Sequence, residues 1–250
     1  MGSEGDAVGI ESEPSWLDYF SGGVPTGESF RCVLNDIRAI SSADSAPEGG
    51  INRLQELCFV GLISYFEAFC KDHFSYLLNL EPSLISQLKA AGHDVTLDAT
   101  YVAAYGDQYS HRLGFVLAGR YDFGSPRKIN ALFGAALRIT PFSTSEAKIF
   151  DGLLRDRHLL VHHGGVFTLE YLAQGHQEPH SMLVDAFFNS RVVGQKDVLE
   201  ALAFIEALAQ KIIRASYDAL KKHLADRAAK YSGERAKALE GMLWWGEAGV

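Results

Sequence analysis

Apolar residues in this chain recur mostly at helical spacing, in blocks separated by Gly, Pro and Ser. "FRCVLNDIRAI" (30–40) places apolar side chains at 30, 33, 34, 37 and 40, the spacing of one helix face. "SSADSAPEGG" (41–50) then interrupts the chain. The next stretch, "INRLQELCFVGLISYFEAFCKDHFSYLLNL" (51–80), runs thirty residues without proline. Near its middle the apolar residues lie almost all round the axis, which predicts a central helix buried on several sides. Ser64 and Glu67 interrupt that run and, three apart, share a face. A carboxylate in such a helix needs a partner, because an unpaired buried charge is costly.

Pro82 starts a short helix that Gly92 ends, and residues 93–145 predict further short helices in "TYVAAYGDQYSHRLGFVLAG" and "SPRKINALFGAALRI". "STSEAKIFDGLLRDRHLLVHH" predicts a longer one. Ser143 and Glu146 have capping-box spacing, and Gly164-Gly165 ends the helix. Ile149, Phe150, Leu153, Leu154, His158 and Val161 form its expected inward stripe. "VFTLEYL" and "SMLVDAFFNSRVV" are rich in β-branched and aromatic residues and predict a β-hairpin. Strong helical periodicity returns after Gly194 and lasts through at least residue 224. The expected fold is mainly α, a helical bundle with a small β-hairpin inserted before the last long helix. Residues 1–28 read as a flexible arm anchored by Trp16, Leu17, Tyr19 and Phe20. Residues 29–225 form the helical domain, and 226–250 a helical tail whose Trp244 and Trp245 dock on the body or on a partner.

With 250 residues, 47% of them hydrophobic, the chain can bury a sizeable core, and no run approaches the ~18 apolar residues that cross a bilayer. "MGSEGDAVGIESEP" lacks a basic-then-apolar leader. Cys32, Cys58 and Cys70 form no C-x-x-C pair and sit in apolar contexts, so buried free thiols and a cytoplasmic location are expected. The net charge of −8 argues against indiscriminate coating of nucleic acid. Charge is uneven, however: residues 112–158 carry +4, leaving −12 for the remainder. A locally basic region can meet a polyanion at one place, although a solvated mixed-charge surface has the same composition.

The densest chemistry lies in "LLRDRHLLVHHGG" (153–165). His158 and His162, four apart, share a helix face, while Arg157 and His162 stand ~140° apart around the axis. Histidine moves protons near neutral pH, and arginine supplies a fixed planar charge for a phosphate that gains charge in a transition state. One of each suffices for metal-free RNA cleavage, where the 2′-hydroxyl is the built-in nucleophile. A basic helix end that merely complements the helix dipole would use the same residue types. A metal pair at His158 and His162 lacks nearby third and fourth ligands, and Arg157 would repel a cation.

"RHLLVHHGG" resembles the R-x4-6-H signature of the HEPN superfamily, with a polar residue directly after the Arg. "SYFEAFCKDHF" resembles the early HEPN helix that faces the motif with a polar or acidic residue. The resemblance spans roughly residues 50–225. It implies a HEPN-like bundle in which Arg157 and His162 are catalytic and His158 is the polar residue that orients the site. Glu67 would support the motif from the facing helix, and His163 offers the R-x5-H alternative to His162. Arg155, Arg127 and Lys128 fall in the basic segment that would contact the RNA backbone. The family implies a metal-independent endoribonuclease without cofactor, paired as a homodimer or held by an antitoxin or other defence-complex partner, and active in toxin–antitoxin, antiphage or CRISPR-linked settings. It also includes members that have lost activity and serve as oligomerisation or regulatory subunits.

Overall fold

A computed structural model of the chain describes residues 14–43, 50–105, 111–175 and 189–245. Ten α-helices fall among the described residues: α1 (Thr26–Ala43), α2 (Arg53–Leu80), α3 (Leu84–Ala90), α4 (Ala99–Tyr105), α5 (Leu113–Ala118), α6 (Pro126–Leu137), α7 (Thr144–His163), α8 (Leu169–Gly175), α9 (Gln195–Asp226) and α10 (Gly233–Gly241). A 3-10 turn, Trp16–Tyr19, precedes them, capped by Ser15.

The central position expected for 51–80 falls to α2, against which α1, α5, α7 and α9 all pack. Asn52 caps its start, its side-chain oxygen accepting from the Leu54 and Gln55 amides at 3.1 and 3.2 Å. From Phe69 to Leu80 every residue except Lys71 and Asp72 is buried. Polar groups in that stretch must then find protein partners. Tyr76 Oη donates to the Ala238 carbonyl at 2.7 Å. Asn79 Nδ2 donates to the Tyr19 carbonyl at 3.2 Å, and its Oδ1 accepts from the Gly114 amide at 2.7 Å. At the other end Gln55 Oε1 accepts from the Ser41 hydroxyl at 2.7 Å, and its Nε2 donates to the Ser41 carbonyl at 2.9 Å.

The helix-end signals behave as local chemistry dictates. Ser143 Oγ accepts from the Glu146 amide at 3.3 Å, and Glu146 Oε2 accepts from the Ser143 amide at 2.8 Å. Gly164 ends α7 in the left-handed conformation (φ 60°). Trp244 stacks on Trp16 with centroids 6.1 Å apart, and Trp245 meets Phe30 edge-on at 6.5 Å, so both rings dock on the body. Tyr19 and Phe20, expected to anchor the arm, are buried, and residues 14–28 form part of the fold.

Four expectations need correction or restriction. The β-hairpin is not formed by the described residues, whose only strand-like pairing is one antiparallel bridge between Val166 and Ser190. "VFTLEYL" instead enters α8, because Thr168 Oγ1 accepts from the Tyr171 amide at 3.1 Å and caps a helical turn, which outweighs the β-branched composition. Residues 181–188 of the second expected strand lie outside the described residues, as do 1–13 of the arm and 246–250 of the tail. On α7, Ile149 and Val161 are exposed at 51% and 52%, while Phe150, Leu159 and Leu160 are buried. The inward face is therefore rotated toward Leu153, Arg157 and Leu160. Cys58 and Cys70 are buried free thiols, but Cys32 is exposed. No described helix is long and apolar enough to cross a membrane.

Two stability predictions follow from the surroundings of α2. A Cβ at Gly114 would lie 2.0 Å from the Ser75 carbonyl oxygen, so the α5–α2 approach requires glycine there. Gly114→Ala should lose about 1–3 kcal/mol in a denaturant melt by forcing the helices apart. His73 is fully buried between Phe69 and Phe133, its Nε2 has no hydrogen-bond partner among the described residues, and burial depresses its pKa to about 3. Between that value and the ordinary 6.5 only the unfolded chain takes up the proton. His73 thus contributes a loss of stability as pH falls through this window, approaching tenfold in the folding equilibrium per pH unit, roughly. Melts of wild type and His73→Phe between pH 7 and 4 should diverge, with the variant losing less.

Candidate active site at the end of α7

α7 lies across the middle of α2, with Phe150 meeting Phe66 at 5.2 Å between centroids. That contact turns Arg157 toward α2. Its Nη2 lies 3.4 Å from Ser64 Oγ and 3.7 Å from Glu67 Oε2, so the two polar residues that interrupt the apolar run of α2 both receive the guanidinium. Neither contact is short, and the Arg157 side chain keeps 34% of its surface exposed. Burial pushes the Glu67 carboxyl above its usual range, nearby Asp122 adds to the rise, and Arg157 opposes it.

The imidazoles occupy the other side of the helix end. His158, His162 and His163 are all exposed. His158 and His162 rings lie 4.5 Å apart, and His158 and His163 5.8 Å apart. Apart from these ring contacts, none of the three has a hydrogen-bond or carboxylate partner among the described residues. The structure therefore brings Arg157 to Glu67 and Ser64, and the three histidines to one another, but it does not join Arg157 to His162 directly. A ligand that engages both must lie across the last turn of α7.

The residues expected to contact RNA divide. Lys128, near the start of α6, is paired with Asp122, and a Cβ at Gly124 in the intervening loop would lie 4.0 Å from Glu67 Oε1. This loop therefore passes beside Glu67, the carboxylate that faces Arg157. Arg127 is exposed beside Lys128. Arg155 stands 5.6 Å over the Tyr171 ring, on the side of α7 that faces α8. No cluster of three or more His, Cys, Asp or Glu suited to a metal ion occurs among the described residues.

Sequence reasoning missed the network that fixes the end of α7. Asp156 accepts from Tyr171 Oη at 2.6 Å and from Arg191 Nε at 3.0 Å. Arg191 Nη2 donates to Asp197 Oδ1 at 2.8 Å, and Asp197 Oδ2 accepts from the Gly194 amide at 2.9 Å. The Arg191 amide donates to the Gly165 carbonyl at 2.8 Å. Burial and the bond to Asp156 push the Tyr171 hydroxyl up to about 12, so it remains a donor throughout the neutral range. These residues come from α7, α8, the segment before α9 and the first turn of α9, and no short spacing betrays them. No protein-family model, curated protein or solved structure matches the chain.

Removing the carboxylate should loosen this network while leaving the contact of Arg157 with α2 in place. Asp156→Ala should cost about 1–3 kcal/mol, the usual worth of hydrogen bonds to a charged group. Tyr171→Phe should cost about 1 kcal/mol. Hydrogen exchange should show the loss first at the amides of Gly165 to Tyr171.

Proposed function

We propose that the chain is a metal-independent endoribonuclease of the HEPN type that cleaves RNA at the end of α7. One observation carries this reading: a partly exposed guanidinium, oriented by Ser64 and Glu67, stands at the same helix end as three exposed imidazoles that have no partner beyond one another among the described residues. His162 takes the proton from the 2′-hydroxyl or gives one to the leaving 5′-oxygen. Arg157 meets the charge that develops on the phosphate, and a separation around the helix suits groups that act on different oxygens of one phosphate. His158 lies against His162 and orients it. His163, farther from His158, is the alternative acid or base. Arg127 adds an exposed positive charge beyond Glu67, where Asp122 holds Lys128, and Arg155 adds one toward α8.

A homodimer fits the same surface. Leu54, Leu57 and Tyr65 are exposed on one stripe of α2, and Ser64 lies at its edge. A second copy seated there would bring a second Arg157 and His162 close to the first and form one composite cleft. The reading as a non-catalytic oligomerisation or regulatory subunit draws on a different observation: Arg157 already faces a carboxylate at Glu67, the arrangement expected of a purely structural arginine.

Incubation with unstructured and structured RNA in excess EDTA separates the two readings. Cleavage should persist in EDTA, leave 2′,3′-cyclic phosphate and 5′-hydroxyl ends, and spare DNA of the same sequence. Arg157→Ala and His162→Ala should each lower the rate by about a hundredfold or more, the usual range for an electrostatic or acid–base group. Cleavage abolished by the chelator, or unaffected by both substitutions, would sink the proposal.

A further inference from the structure

At the end of α2 opposite the one Asn52 caps, a cleft of about 320 Å³ opens between the Trp16–Tyr19 turn, His111 and the start of α10. Its apolar wall comes from Pro14 and the rings of Tyr19 and Tyr231. Asn79 holds the Tyr19 backbone, and Tyr231 Oη donates to the Leu80 carbonyl at 3.0 Å and to Glu81 Oε2 at 2.8 Å. Asn79 stands about 22 Å along the helix from Ser64, so a small ligand here does not touch Arg157.

The cleft is cationic in a protein of net charge −8. Lys230 and Arg235 line it and carry that charge, while burial and the neighbouring Arg112 keep the His111 imidazole beside them neutral. The Arg235 guanidinium lies over two rings, 5.9 Å from the centroid of Tyr19 and 5.4 Å from that of Tyr231, which fix its place, and Glu81 attracts it from beyond ion-pair distance. Arg31, Arg38 and Arg191 are likewise half-buried, and each is paired with a carboxylate. Arg235 has no carboxylate within 4.0 Å among the described residues, nor has Arg112 beside His111, whose buried Nε also lacks a hydrogen-bond partner. The acids nearby are engaged elsewhere. Glu81 accepts from Tyr231 and faces Arg227 at 3.7 Å. Glu234 accepts from the Trp16 amide at 2.9 Å and pairs with Lys237 at 2.5 Å. Asp18 accepts from the Ser15 amide at 2.9 Å. Ser232, at the N-cap of α10, also lines the cleft, and its hydroxyl makes no capping bond.

From this arrangement we infer that the cleft binds a small phosphorylated ligand with an aromatic ring, by its chemistry a nucleoside monophosphate. Arg235 offers the planar fork that suits phosphate, and Lys230 adds a mobile charge. The Ser232 hydroxyl and the first amides of α10 complete an anion seat. The volume lies near the lower end of the roughly 300–1,000 Å³ typical of small-molecule sites, and leaves room beside a phosphate for a planar base against Pro14 and the partly exposed Tyr231 ring. This inference is independent of the RNA-cleavage reading, since it uses none of the residues at α7.

Calorimetric titration of the full chain with AMP, GMP, CMP, UMP, inorganic phosphate and adenosine tests it. At least one monophosphate should bind saturably, at least tenfold more tightly than inorganic phosphate or adenosine. Lys230→Gln and Arg235→Gln should each weaken that binding tenfold or more. Because Arg235 is held between two rings, its variant could fail to fold; exposed Lys230 then carries the test, and Lys230→Glu should abolish binding in a protein that melts like wild type. Absence of binding by all four monophosphates overturns the inference. So does inorganic phosphate binding as tightly as the nucleotides, or nucleotide affinity unchanged in Lys230→Glu.

Discussion

The burial of α2, on all sides from His73 to Leu80 and on all but one exposed stripe before that, is the constraint from which the rest of the architecture follows. A surface helix leaves its polar residues to water, whereas one enclosed by other helices cannot, and each orphaned group costs about 1–3 kcal/mol. The polar residues of α2 therefore act as addresses. Gln55 holds the end of α1, Asn79 holds the Tyr19 turn and α5, and Tyr76 holds α10. Ser64 and Glu67 hold α7 through Arg157. The contact that orients the candidate active site thus belongs to the same set as the contacts that define the bundle.

This origin limits what Arg157 can do. A guanidinium held only by its contacts to α2 keeps part of its donor fork for a ligand, because those contacts are long and one partner is a neutral hydroxyl. Glu67 sits in a setting that raises its carboxyl, so its hold on the arginine depends on the same burial that keeps α7 in place. The Asp156–Tyr171–Arg191–Asp197 network braces the far side of the helix end, next to the exposed histidines. One side of α7 is therefore fixed by α2 and the other by the segment leading into α9.

What could be read in the sequence was what depends on near neighbours. The span of α2, the Ser143–Glu146 box and the Gly164 stop are set by spacings of a few residues and were legible to within a residue or two. So was the need of Glu67 for a partner, for which the resemblance pointed to the Arg157 motif, and the contact itself spans 90 positions. The inward face of α7 was misjudged because apolar spacing alone fits two rotations of the helix, and the pull of Arg157 toward Ser64 and Glu67 selects between them. "VFTLEYL" was misjudged because a single hydroxyl, that of Thr168, outweighs the composition of the six residues around it. The Asp156 network and the cationic cleft at Arg235 join residues far apart in the chain, and no local pattern announces either.

The bond from Tyr76 to the Ala238 carbonyl spans 162 residues, and the Trp16–Trp244 stack joins segments still farther apart. For a chain made from its N-terminus, this has a consequence in time rather than in space. α2 emerges early, with its uninterrupted buried stretch, His73–Leu80, already complete. Part of the cover over that stretch is α10, whose Ala238 is made 162 residues after Tyr76. The nascent protein must carry an unsealed helix end until those 162 further residues have been made, and the bundle cannot close before then.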